Sequence, residues 1–183
     1  HAISAFNNAG FTLFDDSLAE YVADPFVSTV VAVAVLFGSV GFPVLMDLRA
    51  RPRQPRRWSL HTKLTLTVTG LILIGSTGVM LAFEWTNPDT LGPLETPGKV
   101  LAAAFNTTMR TAGFSSIDFG ATNESTQLVT VLSMFVGGGS VSAAGGIKVT
   151  TLALLVLAAV AEYRGDDDTT AFWRRVPTGA IRQ

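Results

Sequence analysis

Long uncharged runs alternate with short polar intervals along this chain. Residues 26–46 and 64–83 contain no charged side chain. Each would extend roughly 30 Å as a helix, enough to cross a bilayer. A third uncharged run, 125–147, is separated from a fourth, 149–161, only by Lys148. As one helix, 125–161 would reach roughly 55 Å, far beyond the hydrocarbon thickness. Its middle is Gly137-Gly138-Gly139-Ser140-Val141-Ser142-Ala143-Ala144-Gly145-Gly146, the poorest helix-forming stretch of the sequence. The pattern therefore predicts a helix broken at membrane depth, where irregular backbone survives only if it lines a cavity or is buried in protein. Close helix packing on small residues is the alternative, but five glycines in this stretch exceed what packing requires.

The shorter elements follow from their punctuation. Asp24-Pro25 and Thr96-Pro97 read as N-caps with proline in the first turn, and Ser59 as the cap of the span at 64–83. Gly38, Gly41 and Pro43 predict a kink near the end of the first span. Residues 1–8 read as the end of a short helix. Residues 97–110 form a helix too short to span and are followed by a glycine turn, the pattern of a re-entrant pore helix rather than a helix lying on the surface. The fold class expected is an all-α membrane protein.

Charge orients these elements. Arg49, Arg51, Arg53, Arg56, Arg57 and Lys63 cluster between the first two spans, and Arg164, Arg174, Arg175 and Arg182 follow the last. Asp15, Asp16, Glu20, Asp24, Glu84, Asp89, Glu95, Asp118 and Glu124 occupy the other side. The basic excess assigns 49–63 and 162–183 to the cytoplasm, and the acidic side then concentrates cations outside. There is no cysteine, hence neither a disulfide framework nor a thiolate metal site. His1 and His61 are too far apart to form a metal cluster by themselves.

One string occurs twice, 103 positions apart. Asn8-Ala9-Gly10-Phe11-Thr12 runs on to Asp15, and Thr111-Ala112-Gly113-Phe114-Ser115 runs on to Asp118. Glycine lets backbone carbonyls turn toward a shared axis, and such carbonyls can replace the water around a dehydrated alkali cation. The repetition points to ions.

Together, HAISAFNNAGF, RTAGFSSID, the glycine-rich break and the following GGIKVTT resemble the Trk/Ktr/HKT superfamily of potassium transporters and channels, over essentially the whole chain. The resemblance implies four helix–pore-loop–helix units around one pore, of which this chain is an excerpt. Residues 1–48 would be the second unit's pore loop and inner helix, 49–63 a cytoplasmic connector and 64–161 the third unit. Residues 162–183 would be the connector to a fourth. It implies a selectivity filter at Asn8, Ala9, Gly10, Phe11, Thr111, Ala112, Gly113 and Phe114, with both phenylalanines packed behind it. It also implies a gate at Gly137, Gly138, Gly139, Ser140, Gly145, Gly146 and Lys148. Lys148 is open to two readings, a charge holding the closed state or a lysine snorkelling to the cytoplasmic face. Arg110 is expected to brace the filter through an acid such as Asp118; a solvated surface arginine is the alternative. By the same resemblance the transported ion is K⁺, or Na⁺ in some members, moving across the plasma membrane. The subunit would be a homodimer on a cytoplasmic nucleotide-binding ring, and no bound cofactor is implied.

Other functions fit less well. Ser140, Ser142 and Lys148 have no acid or histidine beside them in sequence, which disfavours a serine hydrolase with a lysine base. No GxxxxGK[ST] string precedes Lys148. A secondary ion-coupled transporter predicts an ionisable group in mid-membrane, and neither 26–46 nor 64–83 has one. Topology accounts for the arginines of 49–57, so nucleic-acid binding is not indicated, although anionic lipid remains a partner for them. Asn106-Thr107-Thr108 and Asn123-Glu124-Ser125 match a glycosylation pattern, the first inside the expected pore helix.

Overall fold

Asp24 starts the first long helix. Its carboxylate accepts from the backbone N–H groups of Phe26 (2.8 Å) and Val27 (3.1 Å), and Pro25 occupies the first turn. The computed structural model describes residues 1–164, 169–171 and 174–176. Their helices are α1 (Ala2–Phe6), α2 (Pro25–Val40), α3 (Phe42–Ala50), α4 (Leu60–Glu84), α5 (Thr96–Thr108), α6 (Glu124–Phe135) and α7 (Val149–Arg164). Beyond α7, β1 (Thr169–Ala171) pairs antiparallel with β2 (Arg174–Val176). The rest of the 162–183 tail lies outside the described residues.

Ser59 caps α4 as expected, its hydroxyl accepting from Thr62 N–H at 3.1 Å. At α5 the expectation was one residue late: the cap position is Glu95, and Thr96 is already helical. Pro97 permits either register, because the N–H it lacks belongs to the unpaired donors of the first turn.

Uncharged residues 26–46 do not form a single gently kinked span. The chain turns by 101° between α2 and α3, pivoting on Gly41 at φ +91°. A side chain there would be strained, and its Cβ would run into the Ser140 carbonyl oxygen. α2 alone is roughly 24 Å long. Among the described residues only α4 is long and apolar enough to cross a membrane unbroken, with α2 and α3 together a bent second candidate. The break expected between the last two helices is present: α6 stops at Phe135 and α7 starts at Val149.

α4 packs on α5, α6 and α7, and α2 packs on α1 and α5. One buried cluster joins the two halves: Ala5, Leu18, Val31 and Val35 meet Phe105, Met109, Ala112 and Phe114. A second consists of Met80, Leu91, Ala102, Ala103 and Ile117. Outward faces are apolar, with Phe26, Phe37, Leu71, Ile74, Leu128 and Leu132 exposed. A protein surrounded by lipid carries such a surface. Apart from the short β1–β2 pair beyond α7, it is an all-α membrane fold, built on helix–pore-loop–helix repeats.

Candidate functional site

The two strings, a hundred residues apart in sequence, touch. Gly10 lies so close to the second string that a Cβ on it would overlap the Ala112 carbonyl oxygen. A Cβ on Gly113 would sit 3.8 Å from Gly10 Cα. Both glycines hold left-handed backbone, at φ +74° and +84°, where an L-residue costs about 1–2 kcal/mol. Asn8 shares this conformation at φ +52°, which asparagine tolerates. Its side chain bridges the halves, accepting from Thr111 Oγ1 (3.0 Å) and donating to the Val35 carbonyl (3.3 Å). Just outside, Ser115 N–H donates to Ser17 Oγ (3.0 Å), and Leu18 N–H donates to the Ser115 carbonyl (2.8 Å). The strings are joined at both edges, while Ala9 and Gly113 remain exposed between them.

The second string stands on α5. Met109 O accepts from both Ala112 N–H and Gly113 N–H at 2.9 Å, so the end of the short helix sets the glycine turn. Asn106, 2% exposed, holds the outgoing strand: its amide donates to Ala102 O and Ser116 Oγ, and its oxygen accepts from Ser116 N–H. That burial removes Asn106 as a glycosylation site.

Two expected roles differ in the structure. Phe114 is buried behind its string, at 1% exposure, but Phe11 is 79% exposed. Residues of the preceding half (Ala5, Leu18, Val31, Val35) cover Phe114; nothing among the described residues does the same for Phe11. Nor is Arg110 braced by Asp118. It is buried and donates to the carbonyls of Ser133 (2.8 Å), Val136 and Gly137 (3.4 Å). The exposed Asp118 caps its own turn instead, accepting from Gly120 N–H at 2.8 Å. Carbonyls at the end of α6 are unpaired acceptors carrying partial negative charge, so a guanidinium there is satisfied without a carboxylate.

The broken segment runs out and back. Gly137 N–H donates to Ile147 O (2.8 Å), Ile147 N–H to Phe135 O (3.0 Å) and Val149 N–H to Gly138 O (3.0 Å), closing its stem. Its tip lies on the break between α2 and α3: Gly139 N–H donates to Ser39 O (2.8 Å), Ala143 N–H to Gly38 O (3.0 Å) and Phe42 N–H to Val141 O (3.3 Å). Lys148 folds back, donating to Ala144 O at 2.7 Å. Ser140 Oγ bonds Thr150 Oγ1 at 3.0 Å. Val141 sits at φ +57°, a strained conformation for a β-branched residue.

The role of Glu84 escaped the sequence reading, which placed it only among the acids of one side. It is fully buried at the end of α4. Its carboxylate accepts from Asn87 Nδ2, Thr90 Oγ1, Thr126 Oγ1 and both nitrogens of Asn123, at 2.6–3.1 Å. It thereby fastens the start of α6 to α4. The available signal was an acid ending an uncharged run, with Asn and Thr recurring nearby at 87, 90, 123 and 126.

A protein-family model described as TrkH, a cation transport protein, matches residues 1–180. Over 179 residues the chain is 44% identical to Ktr system potassium uptake protein B of Bacillus subtilis, covering 96% of this chain and 40% of that protein. It is 40% identical over 178 residues to the protein of the same name from Vibrio alginolyticus, covering 96% and 39%. With potassium/sodium uptake protein NtpJ of Enterococcus hirae the identity is 34% over 181 residues, covering 99% and 40%. The crystal structure of the potassium transporter TrkH from Vibrio parahaemolyticus matches with a TM-score of 0.71 at 20% identity, over 88% of this chain and 34% of that one. That last likeness concerns the fold alone. The chain spans about 40% of the length of these curated relatives.

Proposed function

This chain belongs to the TrkH family of cation transport proteins, and from that premise we propose that the complete polypeptide passes K⁺ across the plasma membrane through a carbonyl-lined filter. The observation that carries the reading is the backbone contact between Gly10 and the Ala112–Gly113 turn. In a pore surrounded by repeats, neighbouring filter segments must abut around one axis. Carbonyls of Asn8, Ala9, Thr111 and Ala112 then supply oxygen dipoles to the ion without trapping it against a fixed charge. Phe114, buried against the preceding half, holds its segment from behind.

The segment at 136–148 serves as the gate. Support comes from its irregular backbone between two helices and its docking on the α2/α3 break. Gly137, Gly138, Gly139, Ser140, Gly145 and Gly146 make alternative backbone arrangements inexpensive, and Lys148 holds the observed one. The strings face outward in this reading, where Asp15, Asp16 and Asp118 attract cations. The arginine-rich loop and the tail from 162 face the cytoplasm. The homodimer and the nucleotide-binding ring belong to the same reading and are carried by the family resemblance. The family is one of transporters, and no residue is assigned a catalytic role.

The test is ion uptake by the complete polypeptide in proteoliposomes, comparing K⁺ with Na⁺. Wild type is expected to prefer K⁺, and Gly113→Ser to weaken that preference. Equal relative permeabilities in the two proteins would remove the filter assignment, and a wild-type preference for Na⁺ would establish the sodium-permeable alternative.

A further inference from the structure

Arg110 is a cation withdrawn from water with no carboxylate to meet it. It is 7% exposed, and among the described residues the ion pair found is Arg51–Asp47. Burying such a charge is costly unless hydrogen bonds replace its hydration. Three do, all to main-chain oxygens, of Ser133, Val136 and Gly137. Ser133 belongs to the last turn of α6, and Val136 and Gly137 open the irregular segment. The planar fork of a guanidinium can engage several carbonyls at once, which an ammonium does less well.

On its own strand Arg110 directly precedes Thr111, in the turn where Met109 O receives the N–H groups of Ala112 and Gly113. One side chain therefore connects the glycine turn to the root of the broken segment. Moving Val136 and Gly137 would either draw Arg110 along or leave its charge with the Ser133 carbonyl as its one acceptor of the three.

We propose that Arg110 is a positioning residue that couples the shape of the second filter segment to the state of the 136–148 gate. The inference rests on the filter-and-gate reading and adds that the two act as one device. With the gate in the observed conformation, its root carbonyls hold Arg110 and so the Met109–Gly113 turn. Gate rearrangement releases this hold, and ion preference changes with flux.

The experiment uses the complete polypeptide in proteoliposomes, with K⁺ and Na⁺ fluxes measured separately. It compares wild type, Arg110→Lys, a deletion of 140–143 and their combination. Arg110→Lys is expected to raise basal flux at least about fivefold, the lower end of typical inter-site couplings, and to lower the K⁺-to-Na⁺ ratio. The deletion alone should lower that ratio too, and Arg110→Lys should change neither quantity further once 140–143 are gone. Independent, multiplicative effects on flux would overturn the coupling. So would a deletion that opens the pore while ion preference stays at the wild-type value.

Should Arg110→Lys fail to fold, one glycine inserted between Phe135 and Val136 displaces the carbonyls of Val136 and Gly137 with Arg110 intact. Altered flux with altered preference supports the coupling, and altered flux with unchanged preference overturns it. If wild type itself shows no ion selectivity, the underlying reading fails, which these arms separate from failure of the coupling.

Discussion

The two glycine strings share a pattern but stand on different foundations. Asn8–Phe11 follows α1, a helix of five residues, and its phenylalanine lies open at 79% exposure. Thr111–Phe114 follows α5, thirteen residues long, with Phe114 and Arg110 buried and Asn106 holding the strand that leaves. The inner helices differ similarly. In the first half the chain turns by 101° at one glycine, Gly41, at φ +91°; in the second the break takes the whole of 136–148 and places a valine at φ +57°. A repeated string thus fixes where two segments meet, while the surroundings decide how rigidly each is held. Here the second half supplies more of the buried anchoring and also the irregular segment at 136–148.

The glycine pair gives the strongest handle on this contrast. Gly10→Ser must displace the Ala112 carbonyl as well as adopt a strained φ, so K⁺ uptake should fall to background. Gly113→Ser meets only ordinary contacts. It should retain uptake and lose about tenfold in K⁺-over-Na⁺ preference, the factor that ~1.4 kcal/mol of left-handed strain produces. Equal losses in a flux assay would mean that the Gly10–Ala112 approach is unimportant.

Next comes the aromatic pair. Phe114→Ala should cost about 3–5 kcal/mol, as truncation of a buried phenylalanine does, and Phe11→Ala less than about 0.5 kcal/mol, as at exposed positions. Thermal unfolding in detergent reads the difference directly. Matching losses in the complete polypeptide would show that another part of it covers Phe11, making the two strings equivalent after all.

Val141→Gly would give the second inner helix the stress-free turn of the first. Removing roughly 1 kcal/mol of strain from the observed conformation should lower basal flux about fivefold. An increase in flux would place the strain in the open state instead.

The smallest effect concerns the acidic residues near the two strings, where both halves contribute. Asp15→Asn with Asp16→Asn should slow uptake by less than about twofold at low ionic strength, and Asp118→Asn by less still. High salt should erase both differences. A loss that persists in high salt would indicate direct ion contact.

Legibility in sequence followed the kind of group involved. Side chains acting on adjacent backbone were readable: Asp24 and Ser59 cap as their types suggest. Glycine content located the break between α6 and α7 because helix propensity is a local property. The repeated string indicated which segments come together. Arg110 was misassigned for a physical reason. Its acceptors are carbonyls, which every residue carries, so no sequence pattern distinguishes them from the nearby Asp118. The 101° turn at Gly41 was underestimated as a kink because the force shaping it, contact with residues 140 and 141, comes from a hundred positions away. The role of Glu84 was overlooked because two of its partners, Asn123 and Thr126, reach it only after α4 and α6 pack together.

The hydrogen bonds between residues 38–42 and 139–143 run from backbone amides to backbone carbonyls. Alanine at Ser39, Val40, Phe42 or Ser142 preserves the groups that make these bonds, whereas alanine at Gly38, Gly41 or Gly139 would drive a Cβ into neighbouring backbone. Proline at Ala143, or an amide-to-ester exchange at Phe42, removes a donor outright and would expose a seam that side-chain truncation passes over.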